Sequence, residues 1–305
     1  MKDSPFFRQA QLMIRALPHV AAEDCFALKG GTAINLFWRD LPRLSIDIDL
    51  TYLPIEPREL SLENIGEALG RIADGLERTI VGVQVQKAIA DDSGRAMRLF
   101  VQDDAARIVI EPNPVIRGSV FPPEQRDLVP AAEETFEMAV SVTTLAPADL
   151  YGGKICAALD RQHPRDLFDV KLLLADGGID EATRKAFVVY LASHNRPMSE
   201  LLDPIRKDFR AAYENELAGM VSTPTTYDDL AAARETLIDA LRKGLTSDER
   251  AFLLSMKAAK PRWELMELPG IESLPAIQWK LANIEKMDPA KRREASQRLQ
   301  AILEQ

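Results

Sequence analysis

Apolar residues follow two different spacings along the chain, and these spacings predict its helices and strands. Apolar residues three or four positions apart predict helices over residues 5–17 and 58–80. Short alternating or β-branched runs predict strands at residues 25–29, 44–53, 81–90, 95–102, 106–112 and 138–145. The turn signals DDSG and QDDA separate three of these strands, and the proline-rich residues 111–130 are predicted to form a loop. The first half of the chain is therefore predicted to contain both helices and strands.

The second half of the chain has helical spacing throughout. Residues 148–175 are predicted to form two helices, with Pro164 at the favoured first position of the second helix. The change of pattern lies near residue 146. We therefore predict an α+β domain at residues 1–146 and a helical domain at residues 147–305.

The composition is that of an ordinary globular protein, with 46% hydrophobic and 28% charged residues. We expect a cytoplasmic protein without membrane spans, because no run of 18 apolar residues and no signal-peptide pattern is present. Cys25 and Cys156 do not form a CxxC pair, which argues against disulfides and structural zinc. The net charge of −9 argues against a general nucleic-acid binder, although a local basic surface could still bind a polyanion.

The segment ALKGGTAINLFWRDLPRLSIDIDLTYL, residues 27–53, ends in a strand that carries two carboxylates. Successive side chains of a strand point to opposite faces, so Asp47 and Asp49 lie on one face, about 7 Å apart along the backbone. Two carboxylates at this distance repel each other unless cations neutralise them. Mg²⁺, or Mn²⁺ in its place, is the expected cation because it takes hard oxygen ligands and substrate phosphates.

A glycine pair precedes this strand by one predicted helix. Gly30 and Gly31 would let the backbone approach a phosphate closely. Thr32 is expected to cap a helix over residues 33–38, whose amino-terminal dipole favours an anion. A D-x-D pair alone could equally be a solvated strand face, and a glycine pair alone could be a simple turn. The two together predict a site where metal ions and a triphosphate meet, as in-line displacement at phosphorus requires.

A second group of charged residues lies on the two predicted helices of residues 148–175. Lys154 and Arg161 are seven positions apart and share one helix face, as do Asp166 and Asp169, three positions apart. A lysine and an arginine on one face could clamp a triphosphate. The alternative is a surface helix with ordinary ion pairs, each worth only a few tenths of a kcal/mol.

KGGTAINLF followed by RLSIDIDL resembles the signature of the polymerase-β-type nucleotidyltransferase superfamily. More narrowly, it resembles the AbiEii/AbiGii toxin family, which includes the MenT toxins. Residues 154–174 look like the second sequence block of that family, and residues 252–284 are similar to the carboxy-terminal tail of its abortive-infection branch. The resemblance implies a nucleotidyltransferase core with a small mixed sheet and flanking helices, followed by a helical domain that completes the nucleotide and acceptor site.

The resemblance also implies roles for particular residues. It assigns Lys154 to the nucleotide, together with either Asp166 or Asp169, and leaves the choice between these aspartates open. It also implies that Ser45, on the face of Asp47, contacts the nucleotide phosphates and can be phosphorylated by a partner kinase, which would block the metal site by charge.

A third metal carboxylate is expected on a neighbouring strand, and Glu111 is the best candidate. Alternation places Arg107, Val109 and Glu111 on one face of that strand. A glutamate in solvent at the end of the strand, just before Pro112, explains the sequence equally well.

The function implied by the resemblance is transfer of an NMP from an NTP to an acceptor hydroxyl, with release of pyrophosphate. The implied acceptor is the 3′ end of tRNA, and the implied biological role is that of the toxin in a bacterial toxin–antitoxin system. A winged-helix antitoxin is the implied partner. A small-molecule nucleotidyltransferase of the antibiotic-resistance type and a non-catalytic nucleotide-binding protein remain as alternatives. A basic rim formed by four residues would favour tRNA over a small acceptor: Lys257, Lys260, Lys280 and Arg292.

Overall fold

A computed structural model describes residues 5–89 and 95–304, so the predicted turn DDSG lies outside the described residues. The chain divides into two compact units. The first consists of Met1–Ala146 and Ala218–Pro224, and the second consists of Pro147–Leu217 and Thr225–Gln305.

The first unit is built from helices around one seven-stranded sheet. Its helices are α1 (Pro5–Ala21), α2 (Gly30–Ala33, continued by a π-helical turn at Ile34–Trp38), α3 (Arg58–Thr79) and α4 (Pro130–Phe136). Its strands are β1 (Phe26–Lys29), β2 (Asp47–Tyr52), β3 (Gln84–Ile89), β4 (Ala96–Gln102), β5 (Arg107–Pro112), β6 (Glu124–Asp127) and β7 (Ser141–Thr144).

The strands lie in the order β3-β4-β5-β2-β1-β7-β6. The pairs β2–β5 and β1–β7 are parallel and the other neighbours are antiparallel, so the sheet is mixed, as predicted. Helix α3 contacts β3 and β4, and α1 contacts β5 and β7. Alternate residues of the central strands are fully buried, among them Ile48, Leu50, Leu99, Ile108 and Ile110. Burial of these apolar residues stabilises one face of the sheet.

Three local predictions were wrong. The predicted strand at 44–53 begins only at Asp47, because the residues before it form an irregular approach. Helix α2 begins at Gly30 with Lys29 as its N-cap, so Thr32 lies inside the helix and does not cap it. The predicted loop at 111–130 contains strand β6, which pairs with β7.

The segment Ala218–Pro224 belongs to the first unit because its backbone pairs with the approach to β2. The amide of Leu44 donates to the carbonyl of Met220 at 2.8 Å, and the amide of Ser222 donates to the carbonyl of Pro42 at 2.9 Å. These two bonds hold the residues immediately before the D-x-D strand.

Every regular element in the described residues of the second unit is a helix, as the apolar spacing predicted. Its helices are α5 (Pro147–Asp160), α6 (Pro164–Ala175), α7 (Glu181–Ser193), α8 (Met198–Leu202), α9 (Arg210–Glu216), α10 (Tyr227–Gly244), α11 (Ser247–Lys257), α12 (Pro275–Glu285) and α13 (Pro289–Leu303). Side-chain caps begin several of them, including capping boxes at Thr226 and Thr246. Across residues 5–89 and 95–304, every helix is too short or too polar to cross a membrane.

Candidate functional site

The two carboxylates of the D-x-D motif lie together on one face of β2. Asp47 and Asp49 are half-buried, whereas Ile48 and Leu50 on the opposite face are completely buried. The apolar side chains fix the strand against the core, so the carboxylates are held on the other face by the pleat itself.

Gly30 makes room for one of these carboxylates. Strand β1 pairs with β2 so that Lys29 is opposite Asp49, and Gly30 follows directly with φ +71°. A Cβ atom added at Gly30 would lie 2.7 Å from Oδ2 of Asp49. This position therefore requires glycine twice, for its left-handed backbone and for the close approach of the carboxylate.

Gly31 makes room for an arginine that sequence reasoning missed. The side chain of Arg43 is buried, only 2% exposed, and its guanidinium would overlap a Cβ atom at Gly31. The Oγ of Ser45, also buried, would lie 3.3 Å from the same added atom. The sequence did contain a signal for Arg43. Arg43, Ser45, Asp47 and Asp49 occupy every second position, so the alternation that places the two aspartates on one side extends to the arginine.

Thr32 and Ser45 are connected by a hydrogen bond rather than by helix capping. The two hydroxyl oxygens are 2.9 Å apart, and the Thr32 hydroxyl also lies within hydrogen-bond distance of the backbone carbonyl of Asp47. The glycine pair, Thr32 and Ser45 thus surround the start of the D-x-D strand.

Glu111 is the register partner of Asp49 across the parallel pair β2–β5. Its carboxylate forms an ion pair with the guanidinium of Arg98 on β4. Within residues 5–89 and 95–304, no three acidic, histidine or cysteine side chains converge into a metal cluster. Glu111, the predicted third metal ligand, therefore lies on the strand next to Asp49, but its carboxylate is paired with Arg98.

The residues around β2 fit a divalent cation by two criteria. Asp47 and Asp49 supply the hard carboxylate oxygens that Mg²⁺ prefers. The absent Cβ at Gly30 leaves the Oδ2 side of Asp49 open to the backbone of the helix start. Two protein carboxylates are the usual protein contribution at a Mg²⁺ site that also binds phosphates.

The second group of predicted residues forms a buried ion cluster in the other unit. Pro164 starts α6 and His163 caps it, so Asp166 and Asp169 lie one turn apart on the same face. Both carboxylates are fully buried, and both bind the ammonium of Lys154 on α5, at 2.9 Å and 3.0 Å. This buried arrangement excludes the surface-pair interpretation of Lys154.

Arg161 completes this cluster from the end of α5. Its guanidinium donates to both carboxylate oxygens of Asp166, with Nη2 3.0 Å from Oδ1. The Arg161 side chain remains 60% exposed. Burial alone would raise the pKa of Asp166, but the combined charges and hydrogen bonds of Lys154 and Arg161 outweigh burial and hold this pKa well below its usual range.

Two of the four residues that would have favoured tRNA as a basic rim are buried. Lys280 is buried, and its ammonium donates to the carbonyls of His194 and Arg196 after the end of α7. Lys257 is also buried. Burial of Lys280, with a smaller effect from the charge of Lys257, lowers the pKa of Lys280 to about 8. These two buried lysines are not available to an RNA backbone.

The sequence matches a family model described as Nucleotidyl transferase AbiEii toxin, Type IV TA system, over residues 11–283. A search of curated protein sequences found no match. Among solved structures, the chain is similar to MenT4, a nucleotidyltransferase toxin from Mycobacterium tuberculosis H37Rv. The two share 15% sequence identity with a TM-score of 0.61, and the similarity covers 98% of this chain and 94% of MenT4. These findings confirm the resemblance inferred from the glycine pair and the D-x-D strand, and they confirm the fold.

Proposed function

The chain belongs to the AbiEii nucleotidyltransferase toxin family of type IV toxin–antitoxin systems, and from that premise we propose its reaction. It transfers an NMP from an NTP to an acceptor hydroxyl, with the 3′ end of tRNA as the acceptor. The divalent cation is Mg²⁺ or Mn²⁺. Its partner is a cognate antitoxin of the winged-helix type.

The observation that carries this proposal is the close contact between Gly30 and Asp49. A polar strand face in solvent has no need for a glycine with φ +71° whose missing Cβ admits a carboxylate oxygen. Such a contact is expected where the backbone, a carboxylate and a phosphate must come close together. We therefore assign Asp47 and Asp49 to metal binding, and Gly30, Gly31 and Ser45 to the triphosphate.

A divalent cation bound by these carboxylates would polarise the phosphoryl oxygens and activate the attacking hydroxyl. The chain's own residues do the rest by position and charge. Arg43 is buried beside Gly31 and Ser45, and its positive charge at this place favours an anion near the start of α2. A phosphate added to Ser45 would bring negative charge to Asp47 and oppose both metal and NTP binding.

For the helical unit, we propose that Arg161, whose side chain is 60% exposed, neutralises phosphate charge, and that Lys154 holds the buried carboxylates that position it. A carboxylate whose pKa lies far below its usual range is a weak proton acceptor, which makes Asp166 unsuited to the role of general base. Both aspartates are buried and bind Lys154 directly. Lys154 joins the two aspartates, and Asp166 in turn accepts from the guanidinium of Arg161.

The test is incubation of the purified chain with total tRNA, Mg²⁺ and each labelled NTP in turn. We expect label in the tRNA band with one or two nucleotides. Asp47→Ala should abolish labelling, because one metal carboxylate is lost. Asp239→Ala, which changes an exposed carboxylate on α10, is the matched control and should label tRNA like the native chain.

Equal labelling by the native chain and Asp47→Ala would remove Asp47 from the mechanism. Labelling of a small hydroxylated or amine-bearing acceptor, with none of tRNA, would replace RNA by a small molecule as the substrate. Binding of NTP without transfer to any acceptor would indicate a non-catalytic nucleotide-binding protein.

A further inference from the structure

One half of the sheet has a polar face that continues outward from the two carboxylates. We call it the open face; it consists of residues on β3, β4 and β5, namely Gln84, Gln86, Arg98, Phe100, Gln102, Arg107, Val109 and Glu111. None of these side chains is buried. The opposite face of the same strands carries Leu99, Val101, Ile108 and Ile110, which are buried where α1 and α3 pack.

The strand register makes the open face continuous with the proposed metal site. Asp47 is opposite Val109, and Asp49 is opposite Glu111, across the parallel pair β2–β5. Val109 is in turn opposite Phe100 across β4–β5. Neighbouring strands are about 4.8 Å apart, so Phe100 lies about two strand spacings, or roughly 10 Å, from the strand of the carboxylates.

An aromatic ring and two arginines form the centre of the open face. The guanidinium carbon of Arg107 lies 4.3 Å from the centroid of the Phe100 ring, and that of Arg98 lies 6.0 Å from it. Glu111 holds Arg98 by an ion pair. Among the described residues, no carboxylate lies within ion-pair distance of Arg107, so its positive charge is held by the ring alone.

The remaining side chains add hydrogen-bonding groups on both sides of this centre. Gln84 and Gln102 lie opposite each other across β3–β4, and Gln86 lies opposite Phe100. All three glutamines are exposed. The amide of Gln102 donates to that of Gln84 at 3.5 Å. A planar side-chain amide carries donors and an acceptor that can pair with the edge of a base.

We propose that the open face binds the single-stranded 3′ end of the RNA acceptor and leads its terminal hydroxyl towards Asp47 and Asp49. The inference rests on the proposed nucleotidyl transfer to RNA and adds the place where the acceptor lies. Bases stack on aromatic side chains whatever their sequence, and arginines beside the ring neutralise the backbone. Here two arginines face one glutamate, which gives local positive charge in a chain of net charge −9.

The test measures binding of a 5′-fluorescein-labelled eight-nucleotide single-stranded RNA to the full chain by anisotropy, at several salt concentrations. Phe100→Leu should weaken binding by about 5- to 150-fold, the range expected for loss of one stacked base. Arg107→Gln should reduce the slope of log affinity against log salt by about 0.7, the value for one phosphate contact of a single strand. Mg²⁺–NTP binding, measured without RNA, should stay unchanged in both variants.

Lys87→Gln is the matched control, because Lys87 lies on the opposite face of β3, where its ammonium is 3.5 Å from Asp74. Its RNA affinity should equal that of the native chain. Equal RNA affinity in Phe100→Leu, Arg107→Gln and the native chain would overturn the proposal. The proposal would also be overturned if Phe100→Leu and Arg107→Gln kept native RNA affinity but no longer bound a protein that co-purifies with the native chain. That result would assign the open face to protein docking.

The same measurements separate this inference from the proposed function. A native chain that binds Mg²⁺–NTP but not the RNA refutes the open face as an acceptor site and leaves nucleotide chemistry intact. A native chain that binds the RNA through Phe100 but does not bind Mg²⁺–NTP refutes the proposed transfer and leaves the RNA surface standing.

Discussion

Substitution of Gly30 by alanine tests the contact on which the proposed metal site depends. The added Cβ would lie 2.7 Å from Oδ2 of Asp49, whereas ordinary van der Waals contacts begin at 3.4 Å. The carboxylate oxygen must therefore move by at least the difference between these values, 3.4 − 2.7 = 0.7 Å. The alanine must also adopt the left-handed backbone of Gly30, at φ +71°.

The two effects have different consequences. Left-handed backbone costs an ordinary residue about 1–2 kcal/mol, which is small beside a typical unfolding free energy of about 5–15 kcal/mol. Gly30→Ala should therefore fold. Displacement of a catalytic group by about 1 Å can reduce a rate about 100-fold, so the variant should lose at least tenfold in nucleotidyl transfer.

The assay compares label transfer at several Mg²⁺ concentrations with thermal unfolding of the same preparations. Gly70→Ala is the matched control, because Gly70 lies within α3 and an added Cβ would meet nothing within 4 Å. Alanine at a helix interior should stabilise the chain by about 0.5–1 kcal/mol. Its transfer activity should equal that of the native chain.

Native transfer activity and native Mg²⁺ dependence in Gly30→Ala would refute this reasoning. Such a result would mean that the Asp49 oxygen can move without consequence, and that Asp49 does not hold the metal. Reduced activity in Gly70→Ala as well would show that the loss is not specific to the D-x-D strand.

Other expected outcomes concern the neighbouring glycine and two buried charges. Gly31→Ala should lower the melting temperature and weaken NTP binding because its Cβ overlaps the buried guanidinium of Arg43; an unchanged melting temperature would contradict that packing. Asp166→Asn should lower the free energy of urea unfolding by about 3–5 kcal/mol, as for other broken buried ion pairs, and a loss below about 1 kcal/mol would be too small for a buried pair. Because the folded-state pKa of Asp166 is depressed, this carboxylate stabilises the folded chain above about pH 3.9, and the stabilisation is lost as the pH falls further. The unfolding free energy of Asp166→Asn should therefore fall less steeply at acid pH than that of the native chain. Burial lowers the pKa of Lys280 to about 8, against about 10.4 in an unfolded chain, so this residue makes the unfolding free energy rise with pH between these values. Lys280→Met should remove that rise. Unfolding free energies of the variant and the native chain that change with pH in parallel would contradict this expectation.

Local patterns were enough to predict the elements of the site in the first unit. Alternation alone placed Asp47 and Asp49 on one strand face, because the two-residue period of a strand is a property of the backbone. The helical spacing after Pro147 likewise predicted the all-helical second unit. The helix start at Gly30 was missed because a threonine in the third position resembles an N-cap, while the left-handed glycine that begins the helix has no distinctive sequence signal.

The sequence by itself determined the fold class, the carboxylate pair and the family, since each depends on a short run of residues read in order. Only the tertiary structure decided which charges are paired. It put Lys154 between Asp166 and Asp169, turned Glu111 towards Arg98, and buried Arg43 beside a glycine twelve residues earlier in the chain. The physical reason is that ion pairs and close contacts depend on which strands and helices become neighbours, and side-chain periodicity within one element carries no information about the next.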